Sequence, residues 1–348
     1  MKIGSGFFYA RATETTGGFC MKSGFMFCTA ILALTLFANS AFSSDAWHVK
    51  HKNAIVLAMF GTTVEPALNG LLNIRGKVMA RYPGVPVRVA FTSNIIRKKW
   101  QHRANDPDYI KSHPEIPADI LYVKTPLATM ADLQNEGYDT IVLQPTHVAM
   151  GEEFLDLQTY VNGLMSMGTV KKAKYKPFHK IAVGRPALGT YGPAHPYSED
   201  IMEVARALNG DVELARKEKA ALVYMGHGNE YFPSGGAYME FATRMCQLYP
   251  DVLTVIGTVE GFPALADVVK TLKHAGVKKV VLKPFMVVAG DHAMNDMAGD
   301  EPDSWKSVLE KNGIRVTAVK KGLGENDRIA DIFVNHLADA ASDAEIHI

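Results

Sequence analysis

The chain writes one folding scheme twice. From Ala54 onward, short apolar runs of strand length alternate with amphipathic stretches of helical length. The first half offers "AIVLAMF" (Ala54 to Phe60), "VRVAFT" and "TIVLQP" as strands. Between and after them come "ALNGLLNIRGKVMARY", "LATMADLQNEG" and "FLDLQTYVNGLMSM", with helical periodicity. The second half offers "AALVYMG", "LTVIGT", "KKVVLKP" and "RVTAV" as strands. Its helices are "YMEFATRMCQLY", "ALADVVKTLKHAG", "SWKSVLEKNG" and a last one from about Asn326 to Ala341. Strands that are apolar almost throughout are covered on both faces, which is the signature of a parallel sheet between layers of helix.

Two stretches show that the halves are equivalent. "GYDTIVLQPTHVAMGEE" from Gly137 matches "GVKKVVLKPFMVVAGDH" from Gly276, and "AIVLAMFG" from Ala54 matches "ALVYMGHG" from Ala221. The expected fold is α/β, with two Rossmann-like, doubly wound parallel-sheet domains related by an internal repeat. The Gly- and Pro-rich stretch from Lys176 to Pro196 suggests a boundary, giving domains 44–185 and 186–348. The metal site is expected in the second.

The halves differ where their strands end, and ligands of open α/β sheets gather beyond the carboxyl ends of strands. Phe60-Gly61 in the first half becomes His227-Gly228 in the second, and Glu152-Glu153 becomes Asp291-His292. Glu260 follows the strand "LTVIGT". Three strand ends of the second half therefore offer His, Glu and His, a nitrogen and oxygen set suited to Co²⁺, Fe²⁺, Ni²⁺ or Zn²⁺. Asp291 or Asp296 is close enough in sequence to orient an imidazole. His147 lies in the first-half copy of the repeat, where it either faces the cleft or meets a core hydrogen bond. Met225, Met286, Met294 and Met297 suit an adaptable apolar wall.

Other chemistries lack their motifs. The chain has no G-x-S-x-G elbow, no phosphate-binding G-x-x-x-x-G-K loop, no H-E-x-x-H, and no G-x-G-x-x-G after the first strand, so neither ATP nor a nicotinamide is expected. The formal net charge is +1, which leaves no global basic footprint for nucleic acid. Ahead of the repeats, Met21 and Lys22 precede an apolar run from Phe25 to Phe37 and then Ala41-Phe42-Ser43. This reads as a secretory signal peptide over 1–43, within which residues 1–20 are extra or untranslated. It implies export to the periplasm and no lasting membrane span. Cleavage would remove two of the three cysteines, leaving Cys246 and no internal disulfide.

"MFGTT", "QPTHVAMGEEF", "YMGHGNE", "GTVEGFP" and "KPFMVVAGDHAMNDMAGDEPDSW" resemble the motifs of the CbiK-type sirohydrochlorin cobaltochelatases, class II chelatases related in fold to ferrochelatase. The resemblance spans about Ala54 to Ala341. It implies ATP-independent insertion of Co²⁺ into sirohydrochlorin with release of two protons, and Fe²⁺ is an alternative metal. The family's metal-binding histidines fall on His227 and His292 and its glutamate on Glu260. Phe60, Gly61, His147, Arg185 and Lys283 are expected around the macrocycle, the two cations meeting its carboxylates. His102, in "IIRKKWQHRAND", is a candidate axial ligand for haem at a subunit interface, and the chain is expected to form a homo-oligomer. The competing reading is an exported protein that carries a metal or tetrapyrrole without turnover.

Overall fold

The computed structural model describes residues 51–169, 175–230 and 234–348. The proposed signal peptide lies outside the described residues. The described residues form one compact unit. It holds two four-stranded sheets, parallel throughout. The first contains β1 (Asn53–Met59), β2 (Val87–Phe91), β3 (Thr140–Pro145) and β4 (Lys180–Val183), in the order β2-β1-β3-β4. The second contains β5 (Ala221–Gly228), β6 (Thr254–Glu260), β7 (Lys279–Phe285) and β8 (Arg315–Ala318), in the order β6-β5-β7-β8.

The repeat seen in sequence is a repeat in register. Met59 pairs with Phe91 in the first sheet and Gly226 with Thr258 in the second. Likewise Ala54 pairs with Ile141, and Ala221 with Val280. The helices of the first half are α1 (Leu68–Arg81), α2 (Asn94–Ala104), α3 (Pro107–Ser112), α4 (Ala118–Leu121), α5 (Pro126–Asn135) and α6 (Glu152–Ser166). The linking pair is α7 (Tyr197–Ala207) and α8 (Asn209–Glu218). The second half adds α9 (Gly235–Leu248), α10 (Leu265–His274), α11 (Trp305–Lys311) and α12 (Asp327–Asp343). Side-chain caps fix several starts: Ser93 accepts from the Ile96 amide, Thr125 from Ala128, Ser304 from Ser307 and Asn326 from Arg328.

Alternate residues of each strand serve different layers. Ile55, Leu57 and Met59 join a core that continues through Leu222, Tyr224 and Phe285 of the second half. Ala54, Val56 and Ala58 face Met130, Leu133 and Leu157 of α5 and α6. Val223, Met225 and Leu282 pack with Val268, Leu272, Trp305 and Leu309. The Gly- and Pro-rich stretch between the halves contains β4, a short edge strand that the sequence pattern does not flag. Helix α12 returns to the first half, packing against α1, β3 and β4. Its end is tied there by the Asn53 side chain, which donates to the His347 carbonyl, and by Lys180, which donates to Ala344.

Candidate functional site

Three parallel strands of the second sheet deliver the candidate ligands. His227 is the penultimate residue of β5, and its Nδ1 lies 3.1 Å from the Gly228 carbonyl. Gly228 pairs across the ladder with Glu260, the exposed last residue of β6. That approach requires glycine: Gly228 has φ of +78°, and a Cβ there would lie 1.8 Å from the Glu260 carbonyl oxygen. His292 follows β7 after a short loop and heads a π-helical turn at Ala293–Met297. Such turns are rare and gather at functional sites.

The fold brings the two imidazoles together. The His227 and His292 rings lie 5.0 Å apart between centroids, at 84° to each other. The turn places Asp296 one helical step from His292, and its Oδ2 takes the hydrogen bond of His292 Nδ1. This fixes the ring orientation and leaves Nε2 for another partner. Asp291 instead accepts from Asn295 Nδ2 at 2.9 Å. On the other side, the Phe60 ring of the first half lies 6.2 Å from His227. Gly61 beside it is buried against Phe91. Loops of the two halves meet here: a Cβ on Gly151 would lie 3.5 Å from Asn229 Nδ2, and one on Gly290 would lie 3.3 Å from Thr62 Oγ1. Among the described residues, no three or more His, Cys, Asp and Glu side chains converge on one metal position. The histidine pair is assembled, and Glu260 stands at the adjoining strand end.

The remaining expected site residues are placed as follows. Arg185 is bound through Nε and Nη2 to Asp200 at 2.7 and 2.9 Å, and through Nη1 to Asp339 at 2.8 Å. Its guanidinium thus clamps α7 and α12 to the end of β4. Lys283 is paired with Asp211 of α8, which also accepts from the Tyr224 hydroxyl at 2.7 Å. Both expected macrocycle-binding cations are therefore committed to carboxylates of the protein. Periodicity and composition carry no sign of this, because the partners lie on other elements. His102 stands exposed in the last turn of α2, and nothing among the described residues adds to its reading as a haem ligand. His147 lies just past β3. Both its ring nitrogens are buried without a hydrogen-bond partner among the described residues. Burial lowers its pKa to about 4, so the ring is neutral at physiological pH.

Comparison with known proteins is consistent across three measures. Residues 53–342 match the model of the family described as cobalt chelatase (CbiK). The chain is 32% identical over 291 residues to a sirohydrochlorin cobaltochelatase of Nitratidesulfovibrio vulgaris, covering 84% of this chain and 91% of the relative. It is 29% identical to the sirohydrochlorin cobaltochelatase of Salmonella typhimurium, covering 83% of this chain and 96% of that one. In fold it is similar to SirB from Bacillus subtilis, solved with Fe³⁺, with a TM-score of 0.54 at 13% identity, covering 84% of this chain and 97% of that one. A second SirB structure, with cobalt, gives a TM-score of 0.51 at 14% identity over the same shares.

Proposed function

The chain belongs to the CbiK family of cobalt chelatases, and from that membership we propose that it inserts Co²⁺ into sirohydrochlorin, a metal-chelating lyase reaction. The observation that carries the reading to this chain's own residues is the His227–His292 pair, 5.0 Å apart at the ends of neighbouring parallel strands. Imidazole nitrogens bind Co²⁺ and Fe²⁺ well. Two such ligands hold a substrate ion while leaving most of its coordination sphere for the incoming macrocycle. Asp296 keeps His292 oriented, and Phe60 supplies an apolar wall beside His227.

Insertion makes bonds from the metal to the macrocycle nitrogens and expels two pyrrole protons. In this proposal Glu260, exposed at the end of β6, receives them or completes the metal's coordination. No electron transfer and no nucleotide are needed. Positioning of ion and ring supplies the rate enhancement by making their encounter effectively unimolecular. The test is to mix purified protein with excess sirohydrochlorin and Co²⁺ without oxygen, following the macrocycle's absorption, with Fe²⁺ in parallel. Many turnovers per chain support the enzyme, and the ratio of rates gives the metal preference. One equivalent or fewer per chain refutes it in favour of a carrier.

Export is part of the same reading, resting on the Met21 to Ser43 sequence. Among the described residues no helix is long and apolar enough to cross a membrane. Cell fractionation and N-terminal sequencing test it, and a cytoplasmic protein that keeps Met21 would overturn it. Assembly of copies into an oligomer is likewise proposed, and light scattering of the purified protein decides it.

A further inference from the structure

His147 carries an imidazole whose two ring nitrogens are buried and meet no partner among the described residues. It follows β3 at the carboxyl edge of the first sheet, where the backbone around it is fixed on both sides. Its carbonyl accepts from the Ala187 amide at 2.9 Å, and that of Val148 accepts from Leu188 at 2.8 Å. Neither ring nitrogen meets a partner among the described residues, although the residue as a whole keeps some exposure. Buried polar groups almost always have partners, and an unpaired one costs stability, so such an exception calls for an explanation. The corresponding residue of the second half is Met286, an apolar side chain packed against the core. The fold thus accepts an apolar residue here, and the first half carries a polar one against its own stability. The loop that holds His147 runs on to Gly151, which approaches Asn229, two residues beyond His227.

We propose that His147 is a binding residue for the tetrapyrrole, its ring pairing with a polar group of the macrocycle and taking no part in holding the metal. The inference rests on the chelatase reading and deepens it by giving the first half a share in substrate recognition. As a neutral ring, His147 offers one N–H donor and one lone-pair acceptor. The macrocycle carries matching groups, pyrrole N–H donors at its centre and carboxylates at its rim. His147 contributes to affinity for the ring, while His227 and His292 contribute to affinity for the ion.

The experiment measures binding of metal-free sirohydrochlorin and, separately, of Co²⁺ alone, to the full chain and to His147→Leu, His147→Gln and His227→Ala. His147→Leu should weaken macrocycle binding about three- to tenfold, the worth of one hydrogen bond. It should leave Co²⁺ binding unchanged and melt no lower than the wild type, since the orphaned polar atoms are gone. His147→Gln, which keeps a donor and an acceptor, should recover affinity. His227→Ala should show the opposite pattern, losing Co²⁺ and keeping the macrocycle. Wild-type affinity in His147→Leu overturns the inference, as does a glutamine variant no better than leucine. Failure of the wild type to turn over would sink the chelatase reading instead, so the two failures are distinguishable.

Discussion

Asp200 is the carboxylate on which the Arg185 clamp depends, and Asp200→Asn tests whether that clamp holds the C-terminal helix in place. Asp200 is 4% exposed and receives two bonds from Arg185 and one from His336 Nε2 at 3.1 Å. His336, itself buried on α12, also bonds the Arg185 carbonyl through Nδ1 at 3.1 Å. The loop closes tightly over this group: Gly189 has φ of +76°, and a Cβ there would lie 2.3 Å from Asp200 Oδ2. The asparagine fits the space but turns an amide N–H₂ towards guanidinium donors and leaves a buried cation short of charge. Breaking a buried pair by removing one partner costs about 3–5 kcal/mol. For roughly 300 ordered residues, at about 2.1 cal/mol/K each, that is a fall in melting temperature of about 5–8 °C. The pH dependence has a definite sign. Burial opposes the charged form of Asp200, but the bonds from His336 and Arg185 outweigh it and hold its folded pKa below the usual carboxylate value. Its stabilisation is therefore complete above the unfolded value of about 3.9 and is lost as pH falls through the lower folded one. Thermal unfolding of both proteins by circular dichroism from pH 7 to pH 3 should show a constant gap down to about pH 4, closing below it. A variant that melts within roughly 1 °C of the wild type at pH 7 refutes the clamp. A gap that closes between pH 7 and 5 refutes the depressed carboxylate.

His227→Ala and His292→Ala should each abolish cobalt insertion, with folding intact by circular dichroism, since neither ring contributes to the apolar core. Asp296→Asn should lower kcat for insertion about ten- to a hundredfold, because partners that orient metal ligands are worth that much, and Co²⁺ titration should show weaker binding. Gly228→Ala should cost at least 2 kcal/mol, by order of magnitude, through its positive φ and the collision with Glu260, and should reduce turnover by displacing that strand end. Lys283→Met should lower the melting temperature by several degrees, because Asp211 is left buried with the Tyr224 hydroxyl as its remaining partner.

Much of this architecture was legible because the sequence states it twice. A strand covered on both faces must be apolar throughout, so β1, β3, β5 and β7 announce themselves by composition. The common frame of the two Gly-led segments also fixes which strand ends correspond. His227 and His292 could be grouped from sequence for the same reason: both stand at the carboxyl side of matching strands, His227 at the end of β5 and His292 a short loop after β7, and the fold makes those strands neighbours. Edge strand β4 was hidden by its length and by the prolines and glycines around it. Pairing of Arg185 and Lys283 was hidden because Asp339 and Asp211 are fixed by tertiary packing, which periodicity does not encode. A lysine in the middle of an apolar strand can point to a ligand or to an ion pair, and only the placement of α8 decides between them.

The repeat also bears on why the histidine pair lies in the second half alone. Shared register puts Phe60 where His227 stands, Ser93 where Glu260 stands and Glu153 where His292 stands. In the first half these positions have other duties. Ser93 caps α2, Glu153 lies in the first turn of α6, and the Phe60 ring lies against His227 itself. An aromatic ring in place of the second imidazole removes a competing ligand and leaves an apolar surface next to the one that remains. The ion would then have a single resting place, on the second half, and the macrocycle would have a wall, on the first. On the proposed reading, this asymmetry lets an ion held by the second half meet a ring lying against the first.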